Sequence, residues 1–282
     1  MDVPNKRSSH TSATVRGAGL ALAATWGGAG LIIAVLEPHR PPAVFALLGL
    51  AVGLSLIGLW DDLQGVSPGG RLLAQALVCF AAVVLGLRTE TVSIDSFTVI
   101  RLGALAVPLC TIGLLTMVNF FNFMDGIDGL AIGQTLIAAI VLVGAALLVH
   151  ASLVALLATA LAGVAAGFLP FNWSPAKCFM GDSGSYFCGG TLGGLLLFGQ
   201  QSGVPLLLVA LASAIFLADA ATTLVVRLVS RKPIWQAHRS HAYQRLVRAG
   251  WSHAQVTILY MAIAAVSGTA AIWYLARLRG EL

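Results

Sequence analysis

Four short clusters of polar residues interrupt an otherwise strongly apolar chain, and their side chains are of types that bind cations and phosphate. Acidic residues are scarce, 11 among 282, so their grouping at these breaks needs an explanation. The clusters are the pair Asp61-Asp62, the run NFMDGIDGLA from Asn122 to Ala131, the run FNWSPAKCFMGDSGS from Phe171 to Ser185, and the basic loop from Arg227 to His253. Carboxylates are ligands for hard cations, whereas arginine binds phosphate oxygens. The pattern favours a catalytic surface over a pore.

The NFMDGIDGLA run spaces Asn122, Asp125 and Asp128 three residues apart. A continuous helix there would place all three on one face, where their oxygens suit a hard cation or a ribose and base. Gly126 and Gly129 would let a ligand approach closely. The alternative is a polar helix cap at the membrane interface, but a cap uses one Asp rather than two and an Asn.

Asp182 stands between two glycines just before an apolar segment. It could be a simple N-cap or turn residue, or it could reach a Mg²⁺ beside a backbone cradle for phosphate. The adjacent carboxylates of Asp61 and Asp62 could simply be solvated at the interface. Because like charges repel, we instead expect a metal or a basic group near that pair.

The basic loop combines His238, Arg239, His241 and Arg245. Phosphate binding suits these residues better than zinc, since no cysteine or carboxylate accompanies the two histidines. The alternative is that the loop only sets membrane orientation.

Asp219 lies inside an apolar segment, where a carboxylate costs roughly 2.5–3.5 kcal/mol on insertion. We expect it to face the bundle interior and give it no definite role. The remaining histidines are interpreted as interfacial or solvated: His10, His39, His150 and His253.

Composition identifies an integral membrane protein. The chain is 58% hydrophobic and 10% charged, with a mean hydropathy of +0.91, whereas a soluble domain is roughly 25% charged. The net charge of +5 is interpreted as membrane orientation and not as a sign of nucleic-acid binding. The four cysteines form no C-x-x-C pair and are expected to be reduced. No secretory signal peptide is expected at the basic N-terminus.

Uncharged runs predict an all-α membrane protein with about nine transmembrane helices in one domain, residues 1–282. Most of the 16 basic residues fall before the first span and after the second, fourth, sixth and eighth. This excess places the N-terminus in the cytoplasm. Since the four polar clusters follow the same even-numbered spans, they are predicted to share the cytoplasmic face.

These motifs, in this order and spacing, resemble the polyprenyl-phosphate N-acetylhexosamine-1-phosphate transferase superfamily. The resemblance covers nearly the whole chain: the Asp-Asp pair, NxxDGxDGLA, FNxxPAxxFMGDxGS and the His-rich loop. It implies transfer of a sugar-1-phosphate from a UDP-sugar to undecaprenyl phosphate with release of UMP, in a bacterial cytoplasmic membrane. It also implies Mg²⁺ as cofactor, with Mn²⁺ as an alternative. The AHRSHAYQRL loop is similar to the branch that initiates O-antigen synthesis from UDP-N-acetyl amino sugars. A homodimer is left open.

The resemblance also assigns roles to individual residues. Asp182 resembles the metal-binding Asp, with Asn122 as second contact and with Asp125 and Asp128 lining the nucleotide and metal region. Asp61 resembles the carboxylate beside the lipid phosphate, with Asp62 as its neighbour, and His241 is counted with the catalytic group. The residues expected to bind substrate are Arg16, Arg71, Asn172, His238 and Arg239.

Three departures from the family pattern accompany the resemblance. The family usually has 10–11 helices, one of them before the N-terminal loop; here Met1 directly precedes Asp2, so that first helix is expected to be absent. The stretch from Ala13 to Gly19 lacks the family's two prolines, and Arg71 stands where relatives often carry Lys. Three alternatives stay open: a transporter of nucleotide sugars, a CDP-alcohol phosphotransferase and a degenerate, non-catalytic homologue.

Overall fold

The structure, a computed structural model, describes residues 15–38, 41–93, 99–206, 210–231 and 240–280. The all-α prediction is confirmed. The helices are α1 (Gly19–Leu36), α2 (Pro42–Gln64), α3 (Pro68–Ala82), α4 (Ala106–Met124), α5 (Leu130–Leu148), α6 (Ser152–Asn172), α7 (Gly181–Gln201), α8 (Ala214–Val229), α9 (Ala242–Arg248) and α10 (His253–Leu278). A π-helical turn (Val83–Leu87) continues α3, and short 3₁₀ turns (Gly103–Leu105 and Leu211–Ser213) precede α4 and α8.

Two small sheets accompany the helices, a feature that the sequence did not predict. Strand β1 (Val15–Arg16) pairs in parallel with β4 (Cys178–Phe179), and β2 (Thr91–Ser93) pairs antiparallel with β3 (Val99–Arg101). The first pair matters for function because it joins the segment before α1 to the loop before α7.

Eight helices of the described residues are long and apolar enough to cross a membrane. Helix α7 is not among them because its many glycines and polar residues lower its hydropathy, although it has 21 residues. Its residues from Ser183 to Gln200 are all buried. The count of nine spans therefore stays a prediction, with α7 as the ninth long helix. The four cysteines are free thiols, as expected.

Glycines let the helices around α7 approach it closely at the end that carries the polar clusters. A Cβ at Gly189 of α7 would lie 2.6 Å from the carbonyl oxygen of Met117 on α4, closer than a real Cβ can come. A Cβ at Gly58 of α2 would collide with the backbone of Asp182. The close contact of α2 with α7 brings the Asp61-Asp62 pair to the start of α7.

Local signals explain where the helices next to the site begin and end. Gly65 ends α2 in the left-handed conformation, with a φ of 66°. Three residues later Pro68 starts α3, where the Ser67 hydroxyl accepts the Gly70 N–H at 3.3 Å. Ser252 and Gln255 form a capping box at the start of α10. These turns hold the polar residues at the helix ends.

Candidate active site

Asp62 joins α2 to the first turn of α7. Its two carboxylate oxygens accept the backbone N–H groups of Asp182 at 3.0 Å and of Ser183 at 3.1 Å. The first N–H groups of a helix have no partner within the helix, and a carboxylate there also favours the helix dipole. Asp62 therefore acts as the N-terminal cap of α7 and fixes the position of Asp182.

Two arginines supply the basic groups that the adjacent carboxylates require. Arg16 Nη2 lies 2.6 Å from Asp62 Oδ1 and 3.2 Å from Asp182 Oδ1. Arg71 Nη1 lies 2.8 Å from Asp61 Oδ2 and 3.9 Å from Asp182 Oδ2. The expectation of a basic group beside Asp61-Asp62 is thus met by residues on either side of Asp182.

Arg16 reaches the site through the parallel pairing of β1 with β4. Arg16 is paired with Phe179 in this sheet. The Gly17 N–H donates to the carbonyl oxygen of Phe179 at 3.1 Å, and the Gly19 N–H donates to that of Met180 at 3.0 Å. The backbone thereby places Arg16 next to the loop that carries Asp182.

Both oxygens of Asp61 are already engaged. Oδ1 accepts the Val66 N–H at 2.9 Å, which braces the turn between α2 and α3. Oδ2 accepts from Arg71 and from the Tyr186 hydroxyl, the latter at 3.2 Å. Asp61 is buried and holds two neighbouring side chains in place. Tyr186 is a part of the site that the sequence reasoning missed, because nothing in its local pattern distinguishes it from a core aromatic residue.

Asp182 and Asn122 lie side by side, as the metal assignment requires. The Asn122 amide donates to Asp182 Oδ1 and to the Ser185 hydroxyl, each at 3.1 Å. The side chain of Asp182 is 21% exposed, whereas that of Asp61 is 6% exposed. Asp182 is therefore the more accessible of these two carboxylates. Within the residues described, no group of three or more His, Cys, Asp or Glu side chains is arranged to hold a metal ion.

The shared face predicted for Asn122, Asp125 and Asp128 is wrong. Helix α4 ends at Met124, so Asp125 is its C-terminal cap and Asp128 lies in the following turn. Asp125 stays on the side of Asp182. Burial raises the pKa of Asp125 well above its ordinary value, and the nearby Asp182 carboxylate adds to that rise.

Asp128 instead faces α10 and the loop before α7. Its Oδ2 lies 3.2 Å from His253 Nδ1 and accepts the Ala176 N–H at 3.2 Å. Burial on its own raises the pKa of Asp128, but the hydrogen bonds from His253 and Ala176 hold that pKa below its ordinary value. Only 13% of the His253 side chain is exposed, so the interpretation of His253 as an interfacial residue missed this carboxylate partner.

Asn172 also connects loops through its side chain. Its Oδ1 accepts the Gly129 N–H at 3.0 Å, and its Nδ2 donates to the Cys178 carbonyl oxygen at 2.9 Å. The residue is 3% exposed. Its assignment to substrate binding stays a prediction, because both polar atoms bond to backbone groups.

Residues 232–239 of the basic loop are not among the described residues, so the assignments of His238 and Arg239 lie outside them. His241 is buried and its ring stacks on that of Tyr243, with 5.6 Å between centroids. The Tyr243 hydroxyl donates to the carbonyl oxygen of Phe123 at 3.1 Å. Because Phe123 follows Asn122 directly, the start of α9 is fastened next to the candidate metal ligands.

The model of glycosyl transferase family 4 matches residues 44–200, from α2 to α7. The chain belongs to this family. The matched segment contains Asp61, Asp62, Asn122 and Asp182, whereas Arg16 and the segment from α8 onward lie outside it. The predicted family resemblance is therefore confirmed.

Curated relatives extend the similarity beyond that segment. The chain is 30% identical over 273 residues to a probable undecaprenyl-phosphate N-acetylglucosaminyl 1-phosphate transferase of Bacillus subtilis (strain 168), covering 93% of this chain and 74% of the relative. It is 32% identical over 259 residues to a phospho-N-acetylmuramoyl-pentapeptide-transferase of Synechococcus sp. (strain JA-2-3B'a(2-13)), covering 84% and 73%. A protein of the latter name from Staphylococcus aureus (strain Newman) is 25% identical over 257 residues, covering 86% and 79%.

Proposed function

We propose that this protein transfers an N-acetylhexosamine-type sugar-1-phosphate from a UDP-sugar to undecaprenyl phosphate and releases UMP. The observation that carries the proposal is the pairing of the partly exposed Asp182 with Asn122, between Arg16 and Arg71. Two anionic phosphates must meet in this reaction, and the site offers cationic groups on both sides of a potential metal ligand. The names of the relatives from Bacillus and Synechococcus support the substrate classes.

Mg²⁺ is the proposed cofactor, with Mn²⁺ as the alternative. Magnesium is usually bound by one or two carboxylates together with waters and substrate phosphates. Asp182 and Asn122 fit that mode, in which no closed cage of three protein ligands is required. When bound, the ion would neutralise phosphate charge and polarise the phosphorus that is attacked.

Arg16 and Arg71 are proposed to bind phosphate oxygens. In the structure they neutralise the carboxylates of Asp61, Asp62 and Asp182. The guanidinium group has five N–H donors in a planar arrangement, so an arginine can keep one carboxylate contact while it also binds a phosphate. We assign Arg71 to the lipid phosphate because it is tied to Asp61.

Asp61 is proposed to position Arg71 and Tyr186 while the lipid phosphate attacks directly. Its two oxygens already accept three hydrogen bonds, which makes it a poor nucleophile. The second pKa of a phosphate monoester is about 6, so the acceptor is mostly dianionic at neutral pH and needs little help from a base. The rival is a two-step route, in which Asp61 displaces UMP and carries the sugar-phosphate until the lipid phosphate displaces Asp61. It predicts a burst of UMP without lipid.

The site is proposed to face the cytoplasm. The positively charged N-terminal segment and the basic residues after the even-numbered spans support this orientation. Cysteines introduced at Ser67, Ser174 and Ser240 in a cysteine-free background should be labelled only from the cytoplasmic side, and a cysteine at Glu90 only from the outside. Labelling of Ser67 and Glu90 from the same side would contradict the orientation.

UMP release is the decisive measurement. Membranes containing the protein would be given undecaprenyl phosphate, Mg²⁺ and, in separate reactions, UDP-GlcNAc, UDP-GalNAc or UDP-MurNAc-pentapeptide. We expect lipid-dependent UMP from one donor, and the similarity of the His-rich loop to the O-antigen branch favours the first two. Sealed vesicles that accumulate intact UDP-sugar and release no UMP would support the transporter alternative. Folded protein that does neither would support the degenerate homologue.

A further inference from the structure

Asp219 lies in the candidate membrane span Leu211–Val229 and is 4% exposed. It lies outside the segment that matches the family model, and the proposed chemistry does not use it. A carboxylate buried within an apolar bundle is retained only where it has partners, and such groups mark functional regions. The partners of Asp219 are therefore informative.

The Asp219 carboxylate is fully hydrogen-bonded. Oδ1 accepts the Ala242 N–H at 2.7 Å, and Oδ2 accepts the Tyr243 N–H at 3.0 Å. The Tyr260 hydroxyl of α10 donates to Oδ2 at 2.6 Å, and the Thr223 hydroxyl approaches Oδ1 at 3.4 Å. Ala242 and Tyr243 are the first two residues of α9. A side chain of α8 thus satisfies the unpaired N–H groups at the start of α9.

The same carboxylate lies beside His241. Asp219 Oδ1 is 3.5 Å from His241 Nδ1. A carboxylate beside a histidine helps to fix the orientation of its ring. The Gln244 N–H also reaches the His241 side chain in a capping box at the start of α9, and the ring stacks on that of Tyr243.

Tyr243 connects the hydrogen bonds around Asp219 to the candidate active site. The Tyr243 hydroxyl donates to the Phe123 carbonyl oxygen, one residue from Asn122. The start of α9 is therefore anchored to α8 and α10 through Asp219 and to α4 through Tyr243. A disturbance at Asp219 would move His241 relative to Asn122 without touching the substrate.

We infer that Asp219 is a positioning residue, which fixes the His241 ring and the start of α9 beside Asn122. The inferred effect on turnover rests on the proposed function. The geometric part does not, because the environment of the His241 ring can be measured without any reaction.

Turnover gives the first test. Asp219→Asn replaces one acceptor oxygen by an NH₂ group that would face N–H and O–H donors. We expect kcat to fall about 10- to 100-fold, as for other residues that orient a functional histidine, while KM for the UDP-sugar changes less than about threefold. Asp219→Glu should recover part of the loss. Thr222→Val is the matched control and should retain wild-type kcat, because among the described residues the Thr222 hydroxyl bonds only to carbonyl oxygens of its own helix.

Tyr260→Phe keeps the test decisive if Asp219→Asn does not fold. It removes one donor and leaves the carboxylate, so kcat should fall about 3- to 10-fold. Wild-type kcat per folded molecule in either Asp219→Asn or Tyr260→Phe would overturn the inference. A change confined to thermal stability would show a purely structural role.

The ring of His241 gives a test that is independent of turnover. In ¹⁵N-histidine solid-state NMR of reconstituted protein, the His241 resonances would be assigned by their loss in His241→Gln. Wild type should show one narrow set of ring resonances, which should shift or broaden in Asp219→Asn and stay unchanged in Thr222→Val. Unchanged His241 resonances in Asp219→Asn overturn the inference even if the protein is an active transferase. The expected change without any UMP release from wild type would refute the proposed function and leave the positioning role intact.

Discussion

The two ends of the NFMDGIDGLA run use the same kinds of residue for different tasks. At one end, Asn122 contacts Asp182, which is 21% exposed and lies between two arginines. At the other, the side chain of Asp128 is 9% exposed and ties α10 to the loop before α7 through His253 and Ala176. An accessible carboxylate beside partly exposed cationic side chains can exchange partners with a ligand. A carboxylate whose partners are buried holds the structure. Substitutions in the two regions should therefore affect different measurements.

The largest expected effect is that of Asp182→Asn. The change keeps the shape of the side chain but removes the charge that a hard cation requires, so transfer should fall by at least about 100-fold. UMP release at saturating Mg²⁺ would be compared with the membrane content of folded protein. If the variant kept more than a tenth of wild-type turnover, Asp182 would not be a required metal ligand. The proposed contrast between the two regions would then be wrong.

Arg71→Ala should come next. It removes a charge-assisted hydrogen bond and leaves Asp61 buried with weaker partners, which corresponds to roughly 10- to 150-fold in turnover. Arg71→Lys is the matched control and should retain activity within about tenfold, because it keeps the charge. Equal losses in both variants would mean that the planar guanidinium itself is required.

Asp128→Asn should act on stability more than on turnover. Losing the contacts to His253 and Ala176 should cost about 1–3 kcal/mol of folding free energy, while turnover per folded molecule stays within about fivefold. Thermal unfolding in detergent measures the first quantity. His253→Gln should give a similar loss, and the double variant should lose less than the sum because the two residues share one contact. Additive losses would contradict the pairing.

The stability that Asp128 contributes should depend on pH in a defined direction. Its pKa is lowered in the folded state, so the contribution is complete above the unfolded value of about 3.9 and disappears as the pH falls through the folded value. The difference in Tm between wild type and Asp128→Asn should therefore be constant from about pH 6 to 8. A difference that already shrinks between pH 7 and 6 would contradict a lowered pKa of Asp128.

The smallest effect is expected at the exposed pair of Arg88 and Glu90, which is 2.7 Å apart and far along the chain from both regions. Solvent-exposed ion pairs contribute about 0–1 kcal/mol. Glu90→Gln should leave both Tm and turnover near wild type. A large effect there would show that the loss of any charge lowers Tm or turnover of this protein. Losses in the other variants could then not be attributed to their specific contacts.

Much of the fold was predictable from the sequence. Uncharged runs located the membrane-spanning helices because insertion depends on local hydropathy. The break near His150 falls between α5 and α6, as predicted. The repulsion within Asp61-Asp62 predicted a basic neighbour. These conclusions depend on residue type and short spacing alone, whereas the pairing of Asp182 with Asn122 was implied by the family resemblance of the motifs.

Only the tertiary structure decided which residues face one another. Arg16 reaches Asp182, 166 positions away, through the pairing of β1 with β4. Asp128 turns toward His253 because α4 ends at Met124. Asp219 accepts the backbone N–H groups at the start of α9, which follows α8 after a loop. These contacts depend on where each helix ends and on how closely glycines let neighbouring helices pack. The residue types around a carboxylate predict neither the helix ends nor the distances between helices.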